Sequence, residues 1–135
     1  MRARVLIAAC LLAFASPAHA GDEVTAAQDV IRSQAEAFSR DDAAAAYSYA
    51  APAIHDLFPR ADIFMFMVQN AYAPVYRHKS FEFGEARVEG GQVAQRVHIV
   101  DANGEAWEAL YTLERQADGS LKIIGCVLLK AGQAV

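Results

Sequence analysis

The sequence predicts an α+β domain in which three helices precede a four-stranded antiparallel meander. Three observations carry this reading. Apolar residues recur at helical spacing in the first half, as in Val24, Ala27, Ile31, Ala35 and Phe38. After Tyr76 the chain turns to segments rich in β-branched and aromatic residues. These segments are separated by Gly90-Gly91, Asn103-Gly104 and Asp118-Gly119, and short turns join antiparallel neighbours. Helices followed by such a meander pack on one face of the sheet.

Helix one is predicted over residues 22–39, with Asp22 and Glu23 at the start, where carboxylates complement the helix dipole. Arg40-Asp41-Asp42 breaks it, and either aspartate suits the N-cap of the next helix. Residues 43–51 are rich in alanine, the strongest helix former. Pro52 interrupts or restarts that helix through Phe58. Pro59 opens a third helix, which Pro74 ends. Ile63, Phe64, Phe66, Met67 and Ala71 make it apolar over much of its circumference, so it is expected to be the most buried helix.

Four strands are predicted, over residues 79–89, 92–100, 105–116 and 120–130. Period-two alternation assigns their faces. Val93, Val97 and Ile99 lie opposite Arg96 and His98. Trp107, Ala109, Tyr111 and Leu113 share one face of the third strand. In the fourth, Leu121, Ile123, Gly125, Val127 and Leu129 fall on one face and Ile124, Cys126 and Leu128 on the other. That strand is therefore apolar on both sides, as a central or partner-covered strand would be. In the first strand the pattern slips between Phe83 and Val88, and Gly84 suggests a bulge.

Residues 1–20 read as a secretory signal. Arg2 and Arg4 precede an apolar run over residues 5–15, Ser16-Pro17 breaks it, and Ala18-His19-Ala20 supplies a cleavage site. The run is too short for a bilayer, which needs roughly 20 apolar residues. Cleavage after Ala20 makes the expected location periplasmic or secreted. It leaves a single domain over residues 21–130 with a short flexible tail at 131–135. Ile7-Ala8-Ala9-Cys10 also looks like a lipobox, but cleavage there would leave too short an apolar core. The chain's net charge of −4 becomes about −6 once Arg2 and Arg4 are lost, which argues against nucleic acid or an anionic membrane as partner. No later segment is long enough for a membrane span. Loss of Cys10 would leave Cys126 unpaired in an oxidising compartment, so its burial is expected.

Four stretches match a known family in order. They are Gln-Ala-Glu-Ala-Phe-Ser-Arg-Asp-Asp-Ala from Gln34, Tyr-Ala-Pro-Val-Tyr-Arg from Tyr72, Trp-Glu-Ala-Leu-Tyr from Trp107 and Leu-Lys-Ile-Ile-Gly-Cys-Val-Leu from Leu121. On these residues the chain resembles the bacterial domain-of-unknown-function family 4864. That family is similar to the nuclear transport factor 2-like superfamily, which also holds ketosteroid isomerases and polyketide cyclases. The resemblance implies a cone in which a curved sheet wraps three helices, with a pocket at the wide end. It implies no activity, because the superfamily hosts enzymes, binding modules and assembly domains alike.

Five residues are candidates for lining that pocket. Trp107 and Tyr111 stand on one strand face, and Tyr72, Tyr76 and Arg77 cluster around Pro74 where the third helix meets the first strand. For the aromatic residues the competing reading is core packing with each polar atom satisfied locally. For Arg77 it is an ion pair with Glu82, Glu85 or Glu114, against capture of an anionic ligand by the guanidinium fork. His55, His78 and His98 lack the spacing of a metal site, and no cofactor or metal is expected. Cys126 follows Gly125 within a strand, where a thiol behaves as an inert small hydrophobe.

Two functions from different classes follow. The first is a non-catalytic exported domain that binds a small-molecule or peptide ligand in its cone, or forms a homodimer through its sheet. The second is an isomerase, dehydratase or cyclase using His98 or a helical carboxylate such as Asp56 or Asp62 as base, with Tyr111 or Tyr72 as donor. The inward strand positions hold no carboxylate, which weighs against the second.

Overall fold

The computed structural model describes residues 19–132. The predicted leader lies almost wholly outside the described residues, as do the last three residues of the predicted tail. The elements are α1 (Ala20–Ser39), α2 (Ala43–Ser48), α3 (Pro52–Leu57), α4 (Ala61–Ala71), α5 (Ala73–Tyr76), β1 (His78–Glu89), β2 (Gln92–Asp101), β3 (Ala106–Arg115) and β4 (Leu121–Lys130). The strands form one antiparallel sheet in the order β1-β2-β3-β4. This is the predicted α+β class, with helices stacked on one face of a curved meander.

Proline accounts for the extra helices. Pro52 starts α3 at its first position, after Asp42 has capped α2 by accepting from the Ala45 amide at 3.0 Å. Pro59 precedes α4 instead of opening it, and Pro74 lies inside the one-turn α5. Helix α1 lies across the sheet and touches β1, β2 and β4. It carries the deepest residues, Ala27, Ile31 and Phe38, which pack with Val93, Val97, Ile99 and Leu113.

The expectation for α4 is corrected. It buries only Phe64, Met65 and Val68, while Ile63 is 42% and Phe66 68% exposed. It packs on α2 and α5, outside α1, so just one of its sides meets the core. Among the described residues, no helix is long and apolar enough to cross a membrane.

Three register shifts interrupt the sheet, the first between His78 and Ser80 at the start of β1. The β1 register shifts between Phe83 and Ala86, where the sequence pattern slips. A Cβ on Gly84 would come within 2.6 Å of the His98 ring. The wholly buried Gln95 serves this bulge: its amide donates to the carbonyls of Gly84 at 3.0 Å and Arg96 at 2.8 Å, and its oxygen accepts from Gln28 at 3.1 Å.

The bulge in β4 corrects the predicted faces of that strand. Leu113 pairs with Ile123 and Thr112 with Gly125, so Ile124 is the extra residue. Leu121 and Ile123 face the helices before it, and Cys126 and Leu128 pack on the core after it. Val127 turns outward and is 55% exposed. The bulge therefore carries Cys126 to the position beside Tyr111 on the helix side.

Candidate functional site

The helix side of the sheet holds a cavity of about 250 Å³, open to solvent on one side, between α3, α4, α5 and β4. Its wall is apolar for most of its extent, with Phe64 and Val68 from α4 and Ile54, Leu57 and Phe58 from α3 and its cap. Short α3 contributes no buried residue, and Leu57 is 74% exposed although it borders the cavity. The segment is held by the Ala51 amide donating to the Ile123 carbonyl at 2.8 Å and by Tyr47. The Tyr47 hydroxyl donates to the Phe58 carbonyl at 2.5 Å, and its ring stacks on His55 at 3.7 Å between centroids.

Four polar side chains reach the cavity: Gln34, Tyr72, Tyr111 and Cys126. Gln34 donates to the Ala46 carbonyl at 3.1 Å. The Tyr72 hydroxyl donates to the Cys126 carbonyl at 3.0 Å, which ties the end of α4 to β4. Tyr111 is 2% exposed and sits across from Cys126 in the β3–β4 register. Burial pushes the Cys126 thiol up to about 12, although the neighbouring Tyr111 hydroxyl works the other way. Burial likewise holds Tyr111 well above the ordinary tyrosine range and raises Tyr72. All three groups are therefore protonated and uncharged at neutral pH. Among the described residues, no carboxylate, imidazole or cation lines this cavity.

The structure brings two of the five predicted pocket residues together here, Tyr72 and Tyr111. The other three take part in contacts elsewhere. The Trp107 indole donates to a carboxylate oxygen of Asp101 at 2.9 Å, and the other oxygen accepts from the Asn103 and Glu105 amides at 2.9 Å each. The indole bond, with these amides, holds the Asp101 carboxyl below its usual range and fixes the β2–β3 turn.

Arg77 pairs with none of the three glutamates expected for it. It reaches Asp41 at 2.8 Å and the Phe38 carbonyl at 2.7 Å, with its guanidinium over the Tyr76 ring. Asp41 has φ +56°, the left-handed conformation that ends α1 and swings its carboxylate back toward Arg77. The Tyr76 hydroxyl donates to the same carboxylate. Tyr76 and Arg77 thus clasp the C-terminus of α1, outside the cavity lining.

The base candidates also stand apart from the lining. His98 is on the outer sheet face near Glu108, and Asp56 and Asp62 are exposed on helices. Among the described residues, no three metal-binding side chains are grouped to hold an ion. Sequence reasoning did not identify Gln34, although a polar residue three positions from Ile31 on an apolar stripe was its signal. It also placed Cys126 only as an inert core residue; the β4 bulge makes it part of the cavity wall.

The fold has a solved counterpart. A crystal structure of an NTF2-like protein of unknown function from Shewanella baltica OS155 superposes with a TM-score of 0.59. The match covers 87% of this chain and 100% of that one at 11% identity, a likeness of fold alone. No curated protein matches the sequence. The family model for the domain of unknown function DUF4864 matches residues 21–134. The chain is thus a member of the DUF4864 family, built on the NTF2-like fold.

Proposed function

We propose that this domain binds a small, mainly apolar molecule in the cavity between α3, α4 and β4, without chemically transforming it. The observation that supports the reading is an apolar cavity of about 250 Å³ whose only polar groups are uncharged. An apolar cavity of about 150 Å³ in a protein core admits a molecule the size of benzene, so this one is roomy enough for a ligand. An enzyme of the isomerase or cyclase kind needs a group that takes a proton near neutral pH. Tyr72, Tyr111 and Cys126 are all held in their protonated forms, which disfavours that alternative.

The N-terminal pattern of Arg2, Arg4, the apolar run and Ala18-His19-Ala20 supports delivery to the periplasm, which N-terminal sequencing of the periplasmic fraction tests. A second reading, pairing of two copies through the outer sheet face, is favoured by exposed Val127 opposite Leu110.

Thermal shift against toluene, naphthalene and 1-octanol tests the binding reading. A ligand that binds only the folded state raises the unfolding midpoint, and the rise grows with the logarithm of ligand concentration above its Kd. Ile124→Trp, which fills the cavity from the bulge, is expected to abolish the rise. The reading fails if no compound shifts the wild type, or if the shift persists in I124W.

A further inference from the structure

We propose that the cavity selects uncharged amphiphiles of roughly ten heavy atoms, seating their polar end against Tyr111 and Cys126 and rejecting the matching anions. This rests on the binding reading above and adds the ligand's chemical class. Size comes first. Scaling from about six carbons in a 150 Å³ cavity puts roughly ten in the 250 Å³ found here.

Three of the four polar side chains are grouped. Tyr72, Tyr111 and Cys126 meet at one end, where the end of α4 crosses β3 and β4. The remaining wall from α3 and α4 is aliphatic and aromatic. A ligand that fills this shape has one hydrogen-bonding end and an apolar body. Tyr72 spends its proton on the Cys126 carbonyl, and one Gln34 N–H goes to the Ala46 carbonyl. The Tyr111 hydroxyl and the Cys126 thiol stand across from each other in the β3–β4 register, where either can meet a ligand oxygen.

Charge decides the rest. An anion entering this wall loses its hydration and needs a cation in return. The cations on the flanking elements are engaged elsewhere. Arg77 holds Asp41 and the Phe38 carbonyl, Arg60 holds Asp62, and the Lys122 ammonium donates to the Ser48 carbonyl at 2.8 Å. Neither can the cavity answer an anion by titration, because its donors are neutral and stay so. A carboxylate is therefore expected to bind at least about a hundredfold more weakly than the alcohol of equal length.

Calorimetric titration with 1-octanol, octanoate at pH 7.5 and n-octylammonium separates the outcomes. The expected result is saturable binding of 1-octanol and none of either ion at the same concentrations. In Tyr111→Phe the octanol affinity should fall about fivefold, the worth of one hydrogen bond, while naphthalene binding is unchanged. If octanoate binds as well as octanol, charge selection is overturned and apolar binding stands. Equal octanol affinity in wild type and Y111F overturns the seating of the polar end. If neither octanol nor naphthalene binds, the binding reading itself is wrong.

Discussion

Alkylation of Cys126 by iodoacetamide probes the polar end of the cavity directly. The reactive species is the thiolate, so its population sets the rate. At pH 8 a thiol at its ordinary value of 9.0 is about one-tenth ionised, whereas one near 12 is ionised to about one part in ten thousand. That difference removes roughly a thousandfold of nucleophile. A more basic thiolate attacks faster, and a Brønsted slope of about 0.45 restores roughly twentyfold. The folded protein should therefore react about fiftyfold more slowly than the unfolded chain, from the thiol's environment alone.

The assay is a timed quench followed by mass spectrometry of the tryptic peptide 123–130, which contains no other cysteine. Reaction is compared in buffer and in guanidinium chloride. The pH profile carries the sharper signature. In the folded protein the rate should climb about tenfold per pH unit beyond pH 9, where the unfolded chain levels off. A plateau at or below pH 9 in the folded protein would refute the reasoning. It would mean that the thiol sees water as freely as an unfolded one, and the cavity wall would have to be redrawn.

Three further outcomes are expected. Burial raises both Cys126 and Tyr111, so the unfolded chain releases their protons first as pH rises. Their stabilising contribution is complete below about pH 9 and is lost above it, at about 1.4 kcal/mol per pH unit for each group that has ionised only in the unfolded chain. Urea midpoints at pH 7, 9 and 10.5 measure this, and Cys126→Ala should flatten the onset; equal slopes in both proteins would contradict it. Gln95→Leu keeps the volume but strands the Gly84 carbonyl, so it should cost about 2–4 kcal/mol and lower the thermal midpoint by roughly 10 °C. A loss below about 1 kcal/mol would show that the bulge is satisfied without it. Trp107 is the only tryptophan in the chain and does not line the cavity, so cavity ligands should leave its emission unchanged. Its partner Asp101 has a lowered folded-state value, so the turn keeps its stabilisation above about pH 3.8 and loses it as pH falls through that lower value. An indole emission change titrating above pH 3.8 would contradict the Asp101 contact.

Much of the fold was legible because it is written in short-range signals. The apolar stripe from Val24 to Phe38 gave α1, and the glycine-containing turns gave the antiparallel order. The candidate site was legible only in part. Tyr72 and Tyr111 line the cavity, while Trp107, which shares a strand face with Tyr111, does not. Four residues along a strand separate side chains by about 13 Å, so one face serves both the cavity and a distant turn. Arg77 found Asp41 and not a glutamate because the left-handed end of α1 presents that carboxylate, a direction carried by no local pattern.

By itself the sequence determined the α+β class, the meander, the restart of the helix at Pro52 and the buried face of α1, since each depends on periodicity or on the conformational limits of proline and glycine within a few residues. Tertiary structure alone decided the rest. Strand β4 is apolar on both sides, so alternation could not choose its inward face; only pairing with β3 sets Ile124 aside as the bulge. The fate of Cys126 follows from that pairing. One residue of register separates a thiol facing away from the helices from one that meets Tyr111 in the cavity, because a side chain's face on a sheet reverses at every residue.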